Sequence, residues 1–148
     1  MKPPSWHKGH PKRAEGENYH HVFWEGKDYK RLHERKFRNH VGLVIPLKED
    51  VHNYLHLIVP APPKPLKSEM SDCIDFIEER DKWEHEGRFW AMDAAMQYFV
   101  YRGADQPQHE ERCKEIRHNL AMQIGIMSTG KTGELILPNI ETISSMES

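Results

Sequence analysis

The chain has 148 residues, room for one domain or for a small domain with an attached subdomain, and combines 30% charged residues and a mean hydropathy of -0.83 with enough Trp, Tyr and Phe to argue against disorder. No apolar run is long enough to cross a membrane and no signal-peptide pattern opens the chain, so a cytoplasmic protein is expected. The net charge of -2 hides an asymmetry: residues 1–67 carry 13 Lys+Arg against 7 Asp+Glu, and residues 68–148 carry 8 against 16. The basic half would attract a polyanion, or the two halves simply complement each other within the fold. Cys73 and Cys113 stand 40 apart with no C-x-x-C, which excludes a cysteine-built zinc knuckle and a disulfide framework.

Residues 1–17 mix Pro, Gly and basic side chains without apolar periodicity and read as a basic arm, either a strap along a nucleic-acid backbone or a disordered terminus. Residues 19–24, Tyr-His-His-Val-Phe-Trp, are aromatic and β-branched and suit a strand that ends at the turn signal Glu25-Gly26-Lys27-Asp28. Residues 29–39 are strongly basic and suit either a short helix or an elaborated loop. A second strand is expected over 40–47, where Gly42 implies a close approach or a bulge. Lys48-Glu49-Asp50 then introduces a helix over 51–59, with acidic side chains complementing its first turn. His52 and His56, one helical turn apart, leave the same face of that helix. The proline run of 60–67 stops the helix and forms a stiff connector.

Beyond the connector, residues 68–128 read as about three amphipathic helices. The first carries Met70, Cys73, Ile74 and Ile77 and runs to about Trp83. The second carries Phe89, Met92, Ala95, Met96, Phe99 and Val100 and stops near Gly103. The third starts near Asp105, with Pro107 in its first turn and Cys113, Ile116, Leu120 and Ile124 on one face. These stripes read as core, and the helices are expected to pack on one another and on the amino-terminal unit. Residues 129–148 form a tail with one apolar patch, Leu135-Ile136-Leu137.

Two motif matches fail on context. Residues 125–132 have Walker A spacing, but the strand-like residues after them leave no room for the helix that motif needs. His52-x-x-x-His56 has zincin spacing without the Glu that would serve as base.

What remains is a sequence of imidazoles: His20-His21 on a strand, Asn39 near the second strand, and His52 and His56 on a helix. This constellation resembles the HNH, or His-Me finger, nucleases, most closely the nuclease domains of the DNase colicins, and the likeness covers residues 18–59. The resemblance implies a ββα-metal finger over these residues, which together with the helical half that follows makes the expected fold α+β. It implies that His20, His52 and His56 bind one divalent metal ion (Zn, Mg, Mn or Ni) and that His21 is the general base. Asn39 would orient the base or brace the loop, although His40 competes for that middle position. Strand geometry agrees with the division, since adjacent residues diverge and His20 and His21 are poorly placed to share one ion. Lys27, Lys30, Arg31, Arg35, Lys36 and Arg38 would grip the backbone of double-stranded DNA, with Arg35 or Arg38 nearest the transition state. The expected activity is hydrolysis of phosphodiester bonds in DNA. The alternatives are a phage-like or mobile-element accessory protein that holds nucleic acid or a protein partner, and a purely structural zinc site built from four imidazoles.

Overall fold

A computed structural model of the chain describes residues 13–81 and 89–129. Most of the expected arm, the end of the first carboxy-terminal helix at Trp83 and the tail beyond residue 129 lie outside these residues. The architecture is α+β and mostly helical: a two-stranded antiparallel sheet and, among the described residues, five α-helices.

Strand β1 is Glu17–His21 and pairs with β2, Val44–Lys48, in a register that sets His20 opposite Ile45 and His21 opposite Val44. The strand expected over 19–24 therefore starts earlier and ends at His21. A half-solvated strand buries alternate side chains, whereas Val22 and Phe23 are consecutive and both wholly buried. The chain bends to deliver them, and Phe23 stacks on Phe37 at 4.7 Å and approaches Phe99 at 6.4 Å. Glu25 takes the left-handed conformation (φ 69°) that opens a 3-10 turn, Gly26–Asp28.

The basic segment after this turn holds a helix, α1, Leu32–Arg38. Glu34 Oε1 accepts the Arg31 backbone N–H at 2.8 Å, satisfying a donor at the helix start, and Phe37 anchors the inner face. The second strand is shorter than expected because Val41–Leu43 forms a 3-10 turn. Gly42 is pressed there onto a later helix: a Cβ at this position would lie 2.5 Å from the Ala91 Cβ. Pro46 is tolerated in β2 because a two-stranded sheet consists of edges, where a missing N–H is tolerable.

Helix α2, Glu49–Ile58, begins two residues before the expected start, its first turn holding Glu49 and Asp50. The prolines that follow do not stand off in solvent: Pro62 and Pro65 are buried, the Pro60 carbonyl accepts from Asn119, and Lys64 pairs with Glu34.

Three longer helices complete the fold: α3, Lys67–Asp81; α4, Trp90–Asp105; and α5, Glu110–Thr129. Helix α4 continues past Gly103 to Asp105. Pro107 opens a separate 3-10 turn, Pro107–His109, and α5 begins only after it. A single apolar core runs through both halves, joining Val22, Phe37, Leu43 and Leu55 to Met70, Phe99, Ile116 and Leu120. Among the described residues no helix is long and apolar enough to cross a membrane.

Candidate metal centre

Alternation along β1 turns His20 inward and leaves His21 half-buried at the strand end. On α2, Val51 and Leu55 are held in the core, and His52 and His56, each one residue later, rotate to the adjoining strip of the helix that faces β1. The three rings meet: His20 lies 5.2 Å from His52 and 5.3 Å from His56 between ring centroids, and His52 lies 4.6 Å from His56. One ring nitrogen from each falls within 4.8 Å of the others, so the group could hold a metal ion. Nitrogens at zinc-bond length in a tetrahedron stand about 3.4 Å apart, so shifts of about an ångström would close the site. Trp24 walls one side, its ring 4.5 Å from His56 and 5.5 Å from His20.

The surroundings favour neutral, ligating imidazoles. Burial pushes His20 down to about 3, helped by the positive charge His52 and His56 would carry and opposed by a hydrogen bond to Gln123. Burial also lowers His52 and His56. His20 Nε2 lies 2.7 Å from Gln123 Oε1, while His20 Nδ1 is buried with no hydrogen-bond partner among the described residues. An unmatched buried acceptor costs on the order of 1–3 kcal/mol, which coordination to a metal would remove. The donor set of three nitrogens, open on the side of the exposed His56, fits a divalent ion with positions left for water or substrate.

His21, the next residue of the strand, is outside this group of three, and its Nε2 lies 2.9 Å from Asn39 Oδ1. Asn39 is the C-cap of α1, so the end of the basic helix is tied to the end of β1. His40 is engaged elsewhere: its Nδ1 accepts the Gly42 backbone N–H at 3.1 Å and its Nε2 lies 3.8 Å from Glu78. Of the two candidates for the middle position, Asn39 is the one bonded to His21.

Of the six basic residues singled out for DNA contact, Lys27 is on the turn, Lys30 and Arg31 lie in the link that follows it, and Arg35, Lys36 and Arg38 are on α1. Lys27 lies 3.7 Å from Glu25, Arg35 donates to the Lys30 carbonyl, and Lys30, Arg31 and Lys36 are exposed. Arg38 is half-buried, with its guanidinium against Gly26. Among the described residues none of the six bonds to the three imidazoles.

Sequence reasoning missed Gln123 and Asn119. Gln123 Nε2 donates to the Val22 carbonyl at 3.1 Å and to Asn119 Oδ1 at 2.7 Å, and Asn119 Nδ2 donates to the Pro60 carbonyl. The one signal in the chain was a pair of amides four apart in the inward stripe of α5, where Gln123 is wholly buried and Ile124 only half-buried. The Walker-like glycine Gly125 and the residues up to Thr129 are helical, so they form no phosphate-cradling loop. Comparison of the chain with protein-family models, curated proteins and solved structures returned no match.

Proposed function

We propose that the protein is a divalent-metal-dependent endonuclease of the HNH, ββα-metal type that hydrolyses phosphodiester bonds in DNA. The observation that carries this reading is the conjunction of a three-imidazole cluster with a His21–Asn39 pair on the next residue of the same strand. His20, His52 and His56 would hold one ion, whether Zn, Mg, Mn or Ni. Bound there, the ion supplies Lewis-acid neutralisation of charge growing on the phosphate and on the departing oxygen.

The remaining chemistry belongs to the chain. His21 takes a proton from the water whose oxygen forms the new bond to phosphorus, while the bond from phosphorus to the 3′ oxygen breaks and that oxygen takes up a proton from solvent water to leave as a hydroxyl. An imidazole is suited to this near neutrality, and proton transfer to it contributes about 10²- to 10⁴-fold. Asn39 holds the ring in one orientation through the 2.9 Å hydrogen bond. The exposed cations of the turn and α1 grip the flanking backbone, so binding weakens steeply with salt.

Purified protein is expected to nick supercoiled plasmid with Mg²⁺, Mn²⁺ or Ni²⁺ and to stop on chelation. His21→Ala should lower cleavage by about 10²- to 10⁴-fold with an unchanged melting curve. Full activity in His21→Ala removes the base from the reading. Salt-sensitive DNA binding without cleavage under any of these metals would replace the enzyme with a non-catalytic accessory protein.

A further inference from the structure

We infer that Gln123 is a positioning residue for the metal centre: it locks His20 in the tautomer whose Nδ1 lone pair faces the ion. This role rests on the metal-centre reading and adds to it a residue from the opposite end of the chain.

The tautomer follows from a ladder of amides whose ends admit one polarity. The backbone carbonyls of Val22 and Pro60 can only accept hydrogen bonds. The Gln123 atom 3.1 Å from the Val22 carbonyl is therefore its NH₂ group, and the Asn119 atom against the Pro60 carbonyl is likewise NH₂. That orientation turns Asn119 Oδ1 toward the second hydrogen of Gln123 Nε2, at 2.7 Å. Gln123 Oε1 is left facing His20 Nε2 at 2.7 Å, and it can only accept. His20 Nε2 must then carry the hydrogen. A neutral imidazole has one N–H, so Nδ1 keeps the lone pair, and Nδ1 is the ring nitrogen that is buried without a hydrogen-bond partner, in a ring centred 5.2 Å and 5.3 Å from those of His52 and His56. A hydrogen bond from the distal ring N–H is the means by which metal-binding histidines are oriented and made more basic.

The same two amides hold the chain at Val22, two residues beyond His20, and at Pro60, four residues beyond His56. Helix α5 thus fixes both the tautomer of the strand ligand and the separation between the strand and helix that carry the ligands.

Long-range ¹H–¹⁵N imidazole spectra of the full chain, metal-free and then titrated with Zn²⁺, test this directly. The expected result is His20 protonated at Nε2 throughout, with zinc perturbing Nδ1. Gln123→Met, similar in size but without the acceptor, should mix the tautomers and weaken Zn²⁺ binding about 10- to 100-fold. Leu120→Ala, a buried neighbour outside the ladder, should lower stability yet leave the affinity of the folded protein unchanged. A metal-free His20 protonated at Nδ1, zinc on Nε2, or an unaltered affinity in Gln123→Met would each overturn the role of Gln123 while leaving a metal centre in place. Should Gln123→Met fail to fold, the wild-type spectrum decides. Failure of the wild type to take up Zn²⁺, Co²⁺ or Mn²⁺ would overturn the metal-centre reading itself, and this inference with it.

Discussion

At the scale of single residues, His20 and His21 show how one step along a strand changes chemistry. His20 is sealed among aromatic rings and kept neutral by burial, while His21 emerges at the strand end against Asn39. A second residue with a specialised environment is Glu69. Its carboxylate is wholly buried, bonded to Arg112, 3.6 Å from the Arg102 guanidinium, and accepts the Leu66 N–H at 2.8 Å where α3 begins. Removing one member of such a group strands the others, at a cost that reaches about 3–5 kcal/mol when all are buried. The arginine side chains keep 18% and 25% exposure, which places Glu69→Ala at the lower end. A loss of about 3 kcal/mol, or about 10 °C in Tm, is expected by chemical and thermal denaturation.

At the scale of elements, two contacts join the amino-terminal segments to the helices. Gly42 sits so close to α4 that any side chain meets the Ala91 Cβ, and both atoms are fixed to backbone. Gly42→Ala should cost about 1–3 kcal/mol in a urea titration, with part of the loss recovered in the Gly42→Ala/Ala91→Gly double variant. The other contact is Glu34, shared between the start of α1 and the proline connector. The Lys64 ammonium, then the Arg31 backbone N–H, hold its carboxyl down to about 2 from an ordinary 4.5. Above pH 4.5 the carboxylate is ionised in both folded and unfolded chains, and its stabilisation is fully present. Below 4.5 the unfolded chain takes up the proton first, so the contribution fades as pH falls toward 2. The stability difference between wild type and Glu34→Gln should therefore stay level above pH 5 and close between pH 4.5 and 2, as followed by denaturation at stepped pH.

At the scale of the molecule, the proline run separates two textures of sequence without separating two cores. Leu55 and Val59 belong to the same apolar core as Ile116 and Leu120 of α5, and the amide ladder crosses the same seam. All three imidazoles lie before residue 60, yet the strand imidazole is held from residue 123. A fragment of residues 13–66 is consequently expected to show neither cooperative unfolding nor the Zn²⁺ affinity of the whole chain, by circular dichroism and zinc titration. A folded fragment with full affinity would contradict the bracing of the site by α5.

Local periodicity determined much of this protein in its sequence alone. Spacing of four put His52 and His56 on one helical face, alternation divided His20 from His21, and the apolar stripes placed the three long helices. Tertiary structure decided the rest because the responsible contacts join residues that leave no joint pattern in the chain. The bend at Val22 and Phe23 follows from Phe37 and Phe99 waiting in the core. The contact between His21 and Asn39 follows from where α1 ends. The tautomer assigned to His20 follows from an amide 103 residues away. A hydrogen bond of that span depends on how helices dock, and docking is settled by side-chain volumes across the whole core and not by any one segment.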